Sequence, residues 1–178
     1  MAATATSRVV TVHQRAKGVL GEEPNPEVIR TFPVRGDGGL FSTAGDYGKF
    51  VRMFLNGGRT GSTRLLSEAS IRDMTKNQIG RLVVPEQPDA DVLRTKRFPL
   101  GAGKDTWGLG FQLAAPPTTP NQRGTGSYSW AGINNTHFWV DPVRQVGVVV
   151  MMQVLPFYDE ACIKLLSDVE TLVNKSLQ

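Results

Sequence analysis

Hydrophobic and polar positions near the end of the chain follow a pattern that predicts three successive antiparallel strands. Gln145–Gln153 is rich in valine and methionine and has no charge and no proline, and Asn135–Val140 is rich in aromatic and β-branched residues. An Asp-Pro pair provides a turn between them, and Ser127–Trp130 is a third such run upstream. The last two runs are apolar on both alternating faces, whereas a half-solvated strand would have a polar residue at every second position. The pattern therefore predicts a central sheet that is covered on both faces.

Two stretches further upstream have the periodicity of amphipathic helices. The first begins after Thr43, which is spaced from Asp46 as in a capping box, and it ends at the Asn-Gly-Gly run of residues 56–58. The second begins at Ser67 and extends to about Asn77, with apolar residues at helical spacing along it. Both helices have an apolar side that we expect to pack against the sheet.

The remaining predicted elements are two strands and a C-terminal helix. Ser7–Val12 is predicted as a short strand, and Trp107–Leu113 as a strand whose glycines indicate a bend or a close backbone approach. The last helix begins after Asp159, and its apolar stripe should pack on one sheet face: Cys162, Leu165, Leu166, Val169, Leu172, Val173 and Leu177. Together these elements predict an α/β (α+β sandwich) fold with a central antiparallel sheet and helices on both faces.

Composition narrows the classes of function. The 178 residues are 40% hydrophobic and 20% charged, which favours a single domain over residues 1–178 with a strand-strand-strand-helix core at 126–178. The net charge of +4 comes from scattered basic residues, whereas nucleic-acid binding needs a concentrated basic face. No stretch reaches the roughly 18–20 apolar residues of a membrane span. The start of the chain lacks the features of a secretory signal. We therefore expect a cytoplasmic protein with no nucleic-acid partner and no membrane span.

Candidate reactive residues are few. Cys162 is the only cysteine and is predicted to be an inert buried thiol, and the two histidines are too far apart in sequence to suggest a zinc site. No phosphate-binding loop is present, so we expect no metal and no cofactor. Ser129, His13 and Asp141 could compose a catalytic triad, but their spacing gives no support for it. His137 is predicted to be a core histidine with its hydrogen bonds satisfied.

The stretch Gly126–Gly132, followed by Asn134–Pro142 and the valine-rich strand, resembles the C-terminal sheet of the β-lactamase-related serine hydrolases. That group includes class C β-lactamases, β-lactamase-like carboxylesterases, D-aminopeptidases and acyltransferases. Trp130-Ala131-Gly132 aligns with the third active-site motif, which is Lys-Thr-Gly or His-x-Gly in other branches. Further similar segments occur in the family's order: His13–Arg15, the Gly-Gly-Leu-Phe-Ser-Thr-Ala run 38–44, and the Trp-Gly-Leu-Gly-Phe run 107–111.

The resemblance implies acyl transfer through an acyl-enzyme, in which the serine of a Ser-x-x-Lys motif attacks the substrate and a Tyr-x-Asn motif assists with the proton. No serine of this chain has a lysine three positions later, and no tyrosine has an asparagine two positions later. The resemblance therefore implies only the C-terminal portion of the family's domain, a partial domain without the nucleophile. We expect this chain alone to be inactive, and its partners to be the missing N-terminal half or further copies of itself.

The same resemblance assigns the candidate site residue by residue. Ile133 would provide a backbone N–H to the oxyanion hole, while Trp130, Ala131, Gly132 and Asn134 would contact the substrate. Tryptophan in place of lysine removes a cation that would hold a β-lactam carboxylate, which favours small esters or amides as substrates. Two alternatives stay open: Trp130 is simply a core aromatic residue, or the chain is a non-catalytic binding or scaffold protein that retains half of the fold.

Overall fold

The computed structural model describes residues 8–23, 40–88, 91 and 93–177. Its main feature is an antiparallel sheet of five described strands in the order β5-β6-β7-β8-β9. The strands are β5 (Thr106–Trp107), β6 (Gln112–Leu113), β7 (Tyr128–Gly132), β8 (Thr136–Asp141) and β9 (Val146–Val150). The three strands predicted from alternation are confirmed as β7, β8 and β9, although the last ends at Val150 and not at Gln153.

Two smaller sheets lie outside this core. One has the order β10-β1-β2, in which β1 pairs parallel to β10 and antiparallel to β2, and the other is a short hairpin of β3 and β4. Their bounds are β1 (His13–Ala16), β2 (Val19–Glu22), β3 (Arg59–Thr60), β4 (Thr63–Arg64) and β10 (Val154–Leu155). The strand predicted at Ser7–Val12 is wrong for residues 8–12, since the strand forms only from His13 onward, where β2 and β10 provide partners; Ser7 lies outside the described residues.

Three helices form within the described ranges: α1 (Ala44–Leu55), α2 (Glu68–Met74) and α3 (Glu160–Ser176). Each has a cap that the sequence predicted or implied. The Thr43 hydroxyl accepts a hydrogen bond from the Asp46 backbone N–H at 3.1 Å, and the Ser67 hydroxyl accepts one from the Ser70 N–H at 2.9 Å. Helix α2 ends at Met74, three residues before its predicted end. Gly38 and Gly39 of the predicted start of α1 lie outside the described residues.

Helix α1 covers one face of the sheet. Paired residues of an antiparallel sheet share a face, so the register places Tyr128 with Val140 and Trp130 with Phe138 on the α1 side. The buried cluster on this side is Val51, Met53, Phe54, Ile71, Phe111, Leu113, Tyr128, Phe138 and Val140. At Gly147 of β9 a Cβ atom would lie 2.2 Å from Val51 Cγ1, so the helix packs directly against the strand backbone.

Helix α3 lies over the opposite face, where Trp139 is 0% exposed. The contact between α3 and the sheet is partly polar. The Arg123 guanidinium lies 4.8 Å from the centre of the Trp139 ring and is paired with Glu170 of α3. The predicted fold, a central antiparallel sheet with helices on both faces, is thus confirmed. The predicted burial of the whole apolar stripe of α3 is wrong, because Cys162 and Leu166 are buried but Leu165, Leu172 and Leu177 are exposed.

The segment 107–113 differs from the prediction. It is not one strand but two short strands, β5 and β6, that pair with each other around a reversal. The glycines act as expected, because a Cβ atom on Gly108 would lie 2.1 Å from the Met74 carbonyl oxygen, and the Leu109 N–H donates to that oxygen at 2.9 Å. The close approach of this turn to the end of α2 therefore needs glycine.

Candidate functional site

The C-terminal half of β7 has an open edge. Strand β6 pairs only with Tyr128 and Ser129, whereas β8 pairs with all of β7. Within the described residues, Trp130–Gly132 therefore has a strand neighbour on one side alone. Exposure rises along the strand, from a buried Tyr128 to an exposed Gly132. This edge is the part of the sheet where a ligand can approach backbone groups.

The Trp130 side chain borders the open edge and is half-buried. Its ring meets the Trp107 ring edge-on at 4.6 Å between centres and the Phe98 ring at 5.9 Å. It also packs against the buried cluster on the α1 side. Trp130 is therefore fixed by aromatic neighbours, as a core residue would be, while part of its surface lines a cavity described below.

The turn after β7 positions the residues assigned to the oxyanion hole and the substrate. Gly132 pairs with Thr136, and Asn135 has φ +60°, as in a three-residue hairpin loop that ends in a left-handed residue. Ile133 at the tip is 45% exposed. Asn134 is held on its far side, where its Nδ2 donates to Gln153 Oε1 at 2.9 Å. The assigned residues thus occupy one exposed tight turn at the end of the open edge.

Asn135 anchors this turn, a role that the sequence pattern did not reveal. Its side chain is fully buried and donates from Nδ2 to the carbonyl oxygens of Val154 at 2.8 Å and Pro156 at 2.9 Å. Its Oδ1 accepts from the Tyr158 N–H at 2.8 Å. A left-handed asparagine in a turn was the available signal. Its partners lie about 20 residues away in sequence, and contacts over that distance have no local sequence signature.

A cavity of about 210 Å³ lies beside the open edge. Ser129, Trp130 and Ala131 line one side, and Leu166 and Glu170 of α3 line another. Glu170 is paired with Arg123 through two contacts, Nη2 to Oε2 at 2.7 Å and Nε to Oε1 at 3.1 Å. Burial raises the pKa of Glu170, but the hydrogen bonds and charge of Arg123 lower it more, so the pKa lies below its usual value. The charges at this side of the cavity therefore offset each other.

His137 lines the same cavity and departs from its prediction. It is 5% exposed, but its Nε2 has no hydrogen-bond partner within the described part of the chain, so the expectation of a satisfied histidine is wrong. Burial, together with the nearby charge of Arg123, lowers the pKa of His137 to about 4. The ring is therefore neutral at pH 7.

The triad alternative gains no support from the structure. The Asp141 carboxylate accepts hydrogen bonds from the backbone N–H groups of Gly124, Val143 and Arg144 and pairs with the Arg144 side chain. It is therefore a turn-forming residue whose oxygens are occupied, while His13 lies in the smaller sheet. Cys162 is buried and free as predicted, and burial raises the pKa of its thiol to about 11. A thiol with that pKa is a poor nucleophile at pH 7.

Among the described helices, none has the length and apolarity needed to cross a bilayer.

Comparison with known proteins gives relatives of two kinds. The curated Protein Rv1367c of Mycobacterium tuberculosis is 32% identical over 123 residues, which is 67% of this chain and 29% of that protein. Among solved structures, the LovD6 mutant of simvastatin synthase from Aspergillus terreus superposes with a TM-score of 0.80 at 22% identity, over 99% of this chain and 44% of that one. EstCE1, a hydrolase with promiscuous acyltransferase activity, superposes with a TM-score of 0.61 at 15% identity, over 94% and 45%.

These structural likenesses concern the fold alone, because the identities are low. The chain spans less than half the length of the proteins that it matches. The family model described as Beta-lactamase matches residues 2–171, nearly the whole chain. The chain therefore belongs to the β-lactamase family.

Proposed function

We propose that this chain forms one side of the acyl-transfer cleft of a β-lactamase-family serine hydrolase that acts on small esters or amides. In this proposal the Ile133 N–H is an oxyanion-hole donor, and Trp130, Ala131, Gly132 and Asn134 contact the substrate. The nucleophilic serine belongs to polypeptide outside this chain, so residues 1–178 are one part of a larger domain.

The observation that supports the proposal most strongly is the open edge of β7. An oxyanion hole needs backbone N–H groups that are fixed before the reaction and reachable by the substrate. The turn at residues 132–135 is fixed by the buried Asn135 side chain, yet its tip at Ile133 is exposed. Rigid support beneath an accessible backbone is the arrangement that such a donor requires.

Trp130 supports the choice of substrate class. Its indole presents an apolar surface, and its neighbouring rings are those of Trp107 and Phe98. An uncharged aromatic border suits the acyl chain of an ester or amide better than the carboxylate of a β-lactam, because burying an unpaired carboxylate is costly.

The first test is the activity of this chain alone. We expect p-nitrophenyl butyrate to be hydrolysed at the background rate and no serine to react with a fluorophosphonate probe, since the covalent step needs an activated hydroxyl. Robust labelling of any serine would contradict the proposal, because it would place the nucleophile within this chain. Co-expression with the N-terminal part of the Mycobacterium tuberculosis relative then tests whether activity appears in trans.

The second test isolates the backbone donor in a reconstituted enzyme. Ile133→Pro removes the N–H, and we expect kcat to fall about 10²–10³-fold, the effect of losing one oxyanion-hole donor. Ile133→Ala keeps the N–H and is the matched control, which should retain kcat within a few fold. Circular dichroism and thermal melting of both variants check folding. Equal losses in the two folded variants would show that the side chain, and not the N–H, matters.

A further inference from the structure

The cavity has a second side that the acyl chemistry does not use. It consists of three side chains, His137, Trp139 and Tyr158, which together are called the polar wall. They are 5%, 0% and 3% exposed. Within the described part of the chain, His137 Nε2, Trp139 Nε1 and the Tyr158 hydroxyl all lack a hydrogen-bond partner. Buried polar groups in proteins are nearly always paired, so three unpaired groups around one cavity call for a physical reason.

The backbone places these groups together. His137 and Trp139 are two residues apart on β8 and therefore point to the same face of the sheet. Tyr158 approaches from the loop before α3, with its ring centre 6.0 Å from that of His137. Its φ is +68°, a left-handed conformation that is unfavourable for a tyrosine and is stabilised here by the hydrogen bond from its N–H to Asn135. The fold thus holds a strained residue whose buried hydroxyl has no partner among the described residues.

Part of the remaining lining is apolar and large enough to border a ring, while Lys104, Asp105 and Gln112 give another part charged and polar side chains. Phe98 lies edge-on to Tyr158 with 4.1 Å between ring centres, and Leu166 and Trp130 complete this part of the lining. An apolar cavity of about 150 Å³ is known to hold a benzene molecule. The volume of about 210 Å³ therefore accommodates one aromatic ring with a small polar substituent.

The electrostatics favour an uncharged ligand. The charged side chains that line the cavity balance: Lys104 and Arg123 are cations, and Asp105 and Glu170 are carboxylates. Arg123, which lies over the Trp139 ring, is already paired with Glu170. Tyr158 stays protonated because burial raises its pKa, and His137 is neutral because burial lowers its pKa. Trp139 Nε1 can only donate a hydrogen bond, and the tyrosine hydroxyl can donate one too. An acceptor such as a carbonyl oxygen complements these groups, whereas a carboxylate would lose its hydration in a lining whose charges already balance.

We propose that this cavity binds a small neutral molecule that combines one apolar ring or short chain with a carbonyl oxygen, which accepts hydrogen bonds from the polar wall. The site lies between β8 and α3 and uses side chains, not the backbone of residues 131–133. Trp130 and Ala131 border the same cavity, but binding through the polar wall needs no acyl transfer, so it can be tested on this chain without turnover.

The test observes the indole N–H resonances by nuclear magnetic resonance. The chain has three tryptophans, so a ¹⁵N-labelled sample gives three such signals, and Trp139→Phe identifies that of Trp139. Acetophenone provides a ring and a carbonyl, ethylbenzene provides the ring without the carbonyl, and benzoate adds a charge. We expect acetophenone to shift the Trp139 signal in a saturable manner, and ethylbenzene and benzoate to bind at least about 10-fold more weakly, by the usual cost of a lost hydrogen bond or a buried charge.

Variants separate the polar wall from the ring pocket. Tyr158→Phe removes only the hydroxyl, and we expect it to weaken acetophenone binding about 3–10-fold while the Trp139 signal still responds. Tyr47→Phe, on the α1 side of the sheet, is the matched control and should not change the affinity. No saturable shift of the Trp139 signal, equal affinity for ethylbenzene, or a shift confined to Trp130 would overturn the inference. The last outcome would place the ligand at the open edge, and would leave the proposed function intact.

Discussion

Strand β8 contributes side chains to both faces of the central sheet, and the two faces differ in what those side chains contact. Strand β8 contributes Phe138 and Val140 to the α1 side and His137 and Trp139 to the α3 side. On the α1 side Phe138 meets the rings of Phe111 and Tyr47, and the buried members of the cluster are hydrophobic residues. The α3 side has a cavity, and among the described residues His137, Trp139, Tyr158 and Asn174 each have a buried polar atom without a hydrogen-bond partner there. One face is thus packed with apolar side chains, whereas the other keeps polar atoms beside a cavity.

The largest expected loss of stability comes from removing a large side chain from the packed α1 side of the sheet. Phe138 is 9% exposed in the middle of the buried cluster, so Phe138→Ala should lower the free energy of unfolding by about 3–5 kcal/mol. Urea denaturation followed by circular dichroism measures this. Phe138→Leu is the matched control and should cost less than half as much, because it leaves a smaller cavity. A loss below about 1 kcal/mol for the alanine variant would contradict the assignment of this face as the stabilising core.

A smaller loss is expected where α1 contacts β9. The Cβ of Gly147→Ala would lie 2.2 Å from Val51 Cγ1, so the helix or strand must shift, at a cost of about 1–3 kcal/mol. Gly21→Ala is the control, because no atom lies within 4 Å of its added Cβ and it should have little effect. Combining Gly147→Ala with Val51→Ala should cost less than the sum of the two single changes, since the smaller side chain makes room. Additive losses would argue against the direct contact.

Acid should destabilise the α3 side by protonating Asp159, which caps α3 and pairs with Arg15 at 2.6 Å. Burial raises the pKa of Asp159, but Arg15 and the helix N–H groups lower it more, so its pKa lies below the ordinary 3.8. Such a carboxyl stabilises the fold above its unfolded pKa and loses that contribution as the pH falls through its folded pKa. Asp159→Asn, which keeps an oxygen for the cap, should therefore be less stable than the parent at pH 7, and the difference should shrink below about pH 4.

Urea denaturation at pH 7 and pH 3 measures this difference. Asp168→Asn is the control, because Asp168 is exposed on the same helix and its pair with Lys164 should contribute less than about 1 kcal/mol at either pH. A stability difference for Asp159→Asn that stays constant from pH 7 to pH 3 would show that the charge of Asp159 is not involved.

The smallest expected change in stability is also the most direct test of the difference between the two faces of the sheet. Tyr158→Phe removes a hydroxyl that has no partner within the described part of the chain, so the free energy of unfolding should change by less than about 0.5 kcal/mol or rise slightly. Thermal and urea denaturation measure this in the absence of any added ligand. A loss above about 1 kcal/mol would mean that the hydroxyl is hydrogen-bonded in solution, and that the α3 side is as well satisfied as the α1 side.

The sequence predicted those parts of the fold that have a local signature. Strands β8 and β9 follow from their apolar runs, and the starts of α1 and α2 follow from Thr43 and Ser67, because alternation and caps involve residues a few positions apart. The hairpin of β5 and β6 was missed because its aromatic and glycine residues also fit one bent strand. The exposed stripe of α3 was missed because periodicity shows which residues share a side but not what covers that side.

The candidate site also has one part that the sequence predicted and another that it did not. The open edge at Trp130–Gly132 was located from the resemblance of one motif, and its assigned roles stay predictions. The polar wall was not predicted, because the cavity depends on the approach of Tyr158, from the loop before α3, to His137. The prediction that His137 is satisfied failed for the same reason, since a buried-type strand gives no information about the partners of each ring nitrogen.

The position of Asn135 also has a mechanical consequence. One amide group joins the loop at the tip of the β7–β8 hairpin to Val154 of β10, to Pro156 just after it, and to the residue that precedes the cap of α3. A displacement of the Ile133 tip would break these three contacts together or drag the start of α3 along with it. Any opening or closing of the proposed cleft should therefore occur by movement of the polypeptide on its other side, while the Ile133 turn stays in place.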